Sequence, residues 1–279
     1  MEIAVVSDLH VGVSYLNEKS VHRIVKHLRN EEIDVLCILG DVSPDLMTLA
    51  EVLDEFALID AVQFFVAGNH DLWLTAEDRK LGIDSLSKMK RISDVCSDLG
   101  VHDLFGHGPK MKDGFAFVGN TQWYDYSFRD SDLEVPDWAY RNKSWHGMTW
   151  NDGSFVRFGM DDEEVTDMFN DRIEADLEKT SGRRICCSHH IPFKILQEGM
   201  HEGPSFFNAF GGNERFGEIL KAHGVEISVS GHLHRNRKMD IDGVRCYQTA
   251  VGYLDREYMY PDDPDWTKIL KTRILRLSV

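Results

Sequence analysis

Five short apolar runs in this chain each end in a cluster of Asp, Asn or His, and this repeated arrangement limits the fold more than any other feature. Ile3–Val6 leads into Ser7-Asp8-Leu9-His10, and Val35–Leu39 into Gly40-Asp41. Val62–Ala67 leads into Gly68-Asn69-His70-Asp71. Arg184–Cys187 leads into Ser188-His189-His190, and Glu226–Val229 into Gly231-His232-Leu233-His234. Runs of this length, rich in β-branched residues and bounded by Gly, Asp and Asn, read as buried strands. Further runs of the same kind are Phe115–Val118, Val244–Gln248 and Arg273–Leu277. Between them, Asn17–Arg29, Thr48–Leu58, Glu77–Leu99, Asp162–Lys179 and Asn213–His223 repeat apolar residues at helical spacing. Strand–helix alternation over the first 70 residues predicts βαβ units and a largely parallel sheet. Ligands in open α/β sheets bind beyond the carboxyl ends of the strands. The five clusters are therefore expected to converge on one rim.

The residue types suit metal ions. Asp and Asn offer hard oxygens, and neutral imidazole binds first-row metals. In Asp8-Leu9-His10 and His232-Leu233-His234, an extended chain would turn residues i and i+2 to one side and the leucine to the other. Asp8, His10, Asp41, Asn69, His189, His232 and His234 are more ligands than one ion needs. Two ions sharing Asp41 would leave positions for water and substrate and would clamp a phosphate. The five cysteines are odd in number and include no CxxC pair, so they read as small core residues and not as zinc ligands.

Between about 103 and 160 the periodicity gives way to crowded aromatics, with Pro136, Gly147 and Gly153 interrupting any long element. This stretch is expected to form an inserted lobe or long loops within a single domain covering 1–279. Trp123 and Tyr124 are candidates for stacking on a substrate, against the alternative that they build the insert's own core. Arg129, Arg141 and Lys143 either meet a second phosphate or pair with acids. The segment 206–212 is either a mobile rim or a plain turn. His201 and the other histidines outside the clusters have no partner pattern.

The net charge of −16 disfavours extended nucleic acid as a partner. No apolar run approaches the ~20 residues that span a bilayer. The opening Met1-Glu2-Ile3-Ala4-Val5-Val6 lacks a basic leader pattern, which gives an expectation of a cytoplasmic protein. The sequence does not fix the oligomeric state.

In order, the clusters resemble the blocks of the calcineurin-like metallophosphoesterase superfamily: Asp-x-His, Gly-Asp, Gly-Asn-His-(Asp/Glu), a His after a strand, and Gly-His-x-His. The resemblance implies a four-layer α/β/β/α sandwich of two mixed sheets with metals at one rim. It implies that Asp8, His10 and His234 hold one ion, Asn69, His189 and His232 a second, and that Asp41 bridges. A hydroxide between the ions would attack phosphorus in line. His70 would face the leaving group as acid or hydrogen-bond donor, and Asn69 and His70 would contact the substrate. The ions would be Mn, Fe, Zn, Co or Ni, with Mn the choice in vitro. A small phosphodiester is the expected substrate, with nucleotide-like esters among the candidates. A phosphomonoester, or a metal- or nucleotide-binding sensor or scaffold without turnover, is the alternative. Protein phosphatases of the superfamily show Gly-Asp-x-Val-Asp-Arg-Gly and Gly-Asn-His-Glu. Pro44, Asp45 and Asp71 depart from both patterns, so the protein-phosphatase branch remains only within the phosphomonoester alternative.

Overall fold

Each of the eight apolar runs contributes a strand in the computed structural model, which describes residues 1–257 and 266–279. In chain order the strands are β1 (Glu2–Val6), β2 (Val35–Ile38), β3 (Val62–Phe65), β4 (His102–Asp103), β5 (Lys110–Lys112), β6 (Phe115–Asn120), β7 (Ser144–Trp145), β8 (Met148–Thr149), β9 (Arg183–Ser188), β10 (Ile227–Ser230), β11 (Arg237–Ile241), β12 (Val244–Gln248) and β13 (Leu275–Ser278). The first sheet has the order β13-β1-β2-β3-β4, and the second β11-β12-β10-β9-β6-β5. Both are mixed. β1 to β4 run parallel with β13 antiparallel, Ile3 facing Val35 on one side and Leu277 on the other. β6, β9, β10 and β12 run parallel with β5 and β11 antiparallel at the edges.

The continuous apolar character of these runs has a direct cause. Successive side chains enter different cores. Ile3, Val5, Val35, Cys37 and Phe64 point between the sheets, where they meet Phe117, Ile185, Cys187, Ile227 and Val229. Phe64 stacks on Phe117 at 4.4 Å between ring centroids. The alternate residues Ala4, Val6, Leu36, Ile38 and Phe65 point outward and are covered by helices Tyr15–Leu28, Leu46–Phe56 and Ser85–Asp98. Val118 and Cys186 on the other outer face are covered by helices Asp162–Glu178 and Glu214–Ala222. The result is the four-layer sandwich. All five cysteines are buried free thiols, as their place in apolar runs implies. No helix among the described residues is long and apolar enough to cross a membrane.

Two expectations need correction. Glu77–Leu99 is not one helix but two, Ala76–Lys80 and Ser85–Asp98. Gly82 between them takes a left-handed φ of 68°, and the Asp84 side chain caps the second helix by accepting from the Ser87 N–H at 2.7 Å. The aromatic insert also starts later than 103, because β5 and β6 belong to the second sheet. The insert proper follows Asn120. It contains the β7–β8 hairpin and the short helices Asp137–Arg141 and Asp152–Phe155.

Candidate active site

Strands β1, β2, β3, β9 and β10 end on one rim, and the five clusters meet there. The ligand-type side chains form a continuous chain of contacts. His234 Nε2 lies 3.4 Å from Asp8 Oδ1 and 2.8 Å from His10 Nε2. His10 Nε2 lies 3.6 Å from Asp41 Oδ2, and Asp41 Oδ1 lies 3.3 Å from His189 Nε2. His189 Nε2 is in turn 3.1 Å from Asn69 Oδ1 and 3.3 Å from His232 Nδ1. The structure thus brings all seven sequence-predicted ligands together, and all except the half-buried His234 are buried.

The local backbone differs from the extended form expected for Asp-x-His and His-x-His. Asp8, His10, Asp41, His232 and His234 have φ values of 55°, 47°, 52°, 73° and 47°. This left-handed region is costly for residues with a Cβ and is tolerated at functional sites that the surroundings hold in place. Leu9 is fully buried as expected, whereas Leu233 lines a cavity over the cluster. The glycines preceding the ligands are there because the loops nearly touch. A Cβ on Gly40, whose φ is 81°, would stand 2.1 Å from the Gly68 nitrogen. A Cβ on Gly231 would stand 2.0 Å from Ser7 Oγ and 2.7 Å from Asp8 Oδ2.

The donor set fits metal ions. Asp8 Oδ1 is buried and has no hydrogen-bond partner. The facing Nε2 atoms of His10 and His234 require a shared proton or a cation between their lone pairs. His189 Nδ1 donates to the Leu39 carbonyl at 2.7 Å, and His232 Nε2 donates to the Phe210 carbonyl at 3.1 Å. These outer bonds orient each ring with its inner nitrogen toward the centre, the usual support for a metal-binding imidazole. Burial lowers the His189 pKa, but Asp41 outweighs it and raises it to about 9, so an ion there would displace the inner proton of His189. Phe210 belongs to the segment 206–212, in which Phe206–Phe210 forms a 3₁₀ turn with Phe206 and Phe210 buried. Burial raises the carboxyl pKa of Asp8 and Asp41, but the imidazoles outweigh it. His234 and His189 draw Asp8 down to about 2, and His189 and His70 hold Asp41 well below the usual range. Burial lowers His232 to about 3, so it is a neutral ligand type.

His70 lies beside this cluster. Its ring stacks on Trp73 at 3.7 Å, and its Nε2 is 3.8 Å from Asp41 Oδ2. Its backbone N–H donates to Asp41 Oδ1 at 2.8 Å. Burial pulls its pKa below the ordinary imidazole value, against the opposing charge of Asp41.

Three residues that organise the site went unassigned in the sequence. Asp71 accepts from the backbone N–H groups of Val42, Ser43 and Gly68 at 2.8, 2.9 and 2.8 Å, stitching the second and third loops together. The buried Lys88 ammonium donates to the carbonyls of Pro44 and Trp73 and to Asp78. Asp152, from the insert, bonds the Asn69 amide. Asp71 lies within the third cluster, which marks it in the sequence. Nothing local marks Lys88 or Asp152.

A cavity of about 380 Å³ opens over the cluster. Its apolar walls include Trp73, Trp150, Phe207 and Tyr253, and Asn151, Gln197 and Asn208 contribute amides. His201, which has no sequence partner, also lines it. Trp123 and Tyr124 do not. Both are fully buried, and Trp123 Nε1 donates to Asp162 at 2.9 Å, so neither ring has a face for substrate. They pack the insert's core with Tyr126, Tyr140 and Phe210. Arg129 pairs with Asp137 at 2.7 Å, Arg141 with Glu163 at 3.1 Å and Lys143 with Asp162, and none of the three lines the cavity.

A model of the calcineurin-like phosphoesterases matches residues 1–236. The chain belongs to this family. The family's reaction is the metal-dependent hydrolysis of phosphate esters. A phosphopantetheinyl hydrolase from Mycobacterium tuberculosis superposes with a TM-score of 0.76 and 20% identity, over 99% of this chain and 95% of that one. A dimetal phosphatase from Danio rerio superposes with a TM-score of 0.50 and 18% identity, over 90% of this chain and 87% of that one. At these identities the likeness is one of fold. A search of curated proteins found no match.

Proposed function

We propose that this calcineurin-like phosphoesterase hydrolyses a small phosphodiester with a neutral arm, using two divalent ions. Asp8, His10 and His234 would hold one ion, Asn69, His189 and His232 the other, and Asp41 would serve both. Bound there, divalent ions neutralise phosphate charge and make water nucleophilic at neutral pH. The observation that carries the substrate reading is the lining of the cavity. No Lys or Arg lines it among the described residues. A diester brings a single negative charge and a monoester close to two, so a wall without cations favours the diester. Among the described residues, the same wall offers no cation to a second or third phosphate.

The protein's own groups then divide the work. Trp73, Trp150, Phe207 and Tyr253 would cover the apolar length of the arm, and Asn151, Gln197 and Asn208 would meet its polar groups. His70 Nε2 would donate a hydrogen bond to the departing oxygen. Because burial favours the neutral ring, its contribution is positioning and donation, not positive charge. The name of the Mycobacterium tuberculosis neighbour points to one such arm, since a phosphopantetheinyl group is neutral and amide-bearing beyond its phosphate. The five unpaired thiols fit a reducing compartment, and a cytoplasmic location is part of the reading.

The test compares bis-p-nitrophenyl phosphate with p-nitrophenyl phosphate, with added manganese and with chelator, followed by a phosphopantetheine diester beside ATP. Manganese-dependent turnover of the diester, lost in Asp41→Asn and reduced by about 10²-fold or more in His70→Ala, is the expected result. Faster turnover of the monoester or of ATP would refute the neutral-arm diester. Two ions bound per chain without turnover of any ester would favour a sensor or scaffold.

A further inference from the structure

Asp152 is 1% exposed, and its carboxylate receives four donors. Oδ1 accepts from Asn69 Nδ2 at 2.9 Å and from Trp73 Nε1 at 2.6 Å. Oδ2 accepts from Tyr124 OH at 3.0 Å and from Trp150 Nε1 at 2.7 Å. An ionised carboxylate accepts about four hydrogen bonds, so the group is saturated and its buried charge is compensated. The four donors are not equivalent. Asn69 is a ligand in the metal reading, Trp73 and Trp150 are walls of the cavity, and only Tyr124 is plain core.

We propose that Asp152 is a positioning residue that orients the metal ligand Asn69 and fixes the two indoles of the substrate wall, tying the aromatic insert to the chemistry. The proposal rests on the two-ion reading of the site. A carboxamide can present its oxygen or its NH₂ toward the centre. With Nδ2 held by Asp152, Oδ1 must face the opposite way, toward His189 Nε2 at 3.1 Å. An amide turned the other way would point N–H groups at a cation. The same carboxylate sets the ring that supports His70, because Trp73 stacks on His70 at 3.7 Å. It also sets Trp150, which lies edge-on to His232 at 5.7 Å. One anion from the insert thus fixes a ligand, the support of His70 and a wall of the cavity.

The experiment uses the full chain with Asp152→Asn, which keeps the volume but offers one acceptor oxygen and an NH₂ that opposes two of the four donors. Manganese affinity by calorimetry should fall about 10–100-fold, and kcat should fall with it. Indole fluorescence should change as Trp73 and Trp150 lose their acceptor, and circular dichroism reports whether the fold persists. A folded variant whose manganese affinity and kcat lie within twofold of wild type would overturn the proposal. Because the variant can lose its fold, a second measurement uses the wild-type protein loaded with zinc. The Asn69 side-chain NH₂ protons should exchange slowly with solvent, and fast exchange would overturn the proposal independently. Wild-type chain that binds manganese without hydrolysing any ester defeats the functional reading but leaves the affinity test of Asp152 in force. Wild-type chain that binds no divalent ion defeats both.

Discussion

Replacing Gly68 by alanine tests whether the close approach of the loops is what places the catalytic groups. Gly68 does not adopt the left-handed conformation, so alanine meets no backbone strain there and the effect is steric. Its Cβ would stand 2.2 Å from Asp41 Oδ1, 2.4 Å from the Asp41 nitrogen and 2.8 Å from His189 Cε1. The first two contacts lie roughly 1 Å inside normal van der Waals separation. The Asp41 nitrogen is backbone, and the two side-chain atoms belong to buried groups held by hydrogen bonds. Asp41 Oδ1 also accepts from the His70 backbone N–H at 2.8 Å, so the carboxylate cannot rotate away without losing that bond. The loop and Asp41 must therefore separate by roughly 1 Å, a displacement that costs about 10²-fold in rate at a reacting centre. Overpacking costs about 1–3 kcal/mol, which lowers the melting temperature of a chain this size by about 2–5 °C. The assay is kcat for the diester, manganese affinity and thermal melting, with Gly203→Ala as control because a Cβ there meets nothing within 4 Å. A Gly68→Ala protein with wild-type kcat and manganese affinity would refute the reasoning.

Two further outcomes follow from the same geometry. Manganese at about 100 times its dissociation constant should stabilise the wild-type chain by about 2.7 kcal/mol, chelator should reverse the gain, and Asp41→Asn should lose most of it; equal melting temperatures with and without manganese would contradict an ion site here. Lys88→Met should lower stability by about 3 kcal/mol in urea unfolding, since Lys88 is 1% exposed and its ammonium ties the loops after β2 and β3 to Asp78. Burial raises the Asp78 pKa, but Thr75 and Lys88 outweigh it, so its folded value lies below the unfolded one. Its contribution is therefore present above about pH 4 and is lost as pH falls through the folded value. Asp78→Asn should flatten that acid limb of the stability profile, and an unchanged limb would count against the pair.

The sequence made some of this legible and hid the rest for identifiable reasons. The strands could be read because each apolar run feeds two cores at once, Ile3 and Val5 inward, Ala4 and Val6 outward. Polar clusters at the ends of such runs stand out. The left-handed backbone at Asp8 and His10 could not be read, because Asp-Leu-His is compatible with an extended strand end until the neighbouring loop is in place. Short pairing was also hidden. β4 has two residues and β5 three, too few to show periodicity. Trp123 and Tyr124 were misleading because an aromatic cluster looks alike in sequence whether it packs or binds. The difference lies in acid partners far along the chain, Asp162 for Trp123 and Asp152 for Tyr124. The same distance hides Asp152 itself, 83 residues from Asn69.

Hydrogen-bond accounting shows which carboxylates at the rim are available to ions. Four lie close together, and each must be compensated because a buried unpaired charge is costly. Asp71 accepts from three backbone N–H groups, yet burial and the Asp41 charge still raise its pKa to about 7, and Asp152 accepts from four side-chain donors. Asp8 and Asp41 are satisfied differently. Asp8 Oδ2 accepts from the His232 backbone N–H at 3.0 Å while Oδ1 has no partner. Asp41 Oδ1 accepts from the His70 backbone N–H, while Oδ2 is approached only by His10 and His70 imidazoles, at 3.6 and 3.8 Å. Each spends one oxygen on a backbone N–H of another cluster and leaves the other facing the centre. That division matters in a chain of net charge −16 whose cavity has no cationic side chain among the described residues. In the two-ion reading, the positive charge that attracts a phosphate would be bound at the two open oxygens, which would tie phosphate affinity to ion occupancy and not to the protein surface.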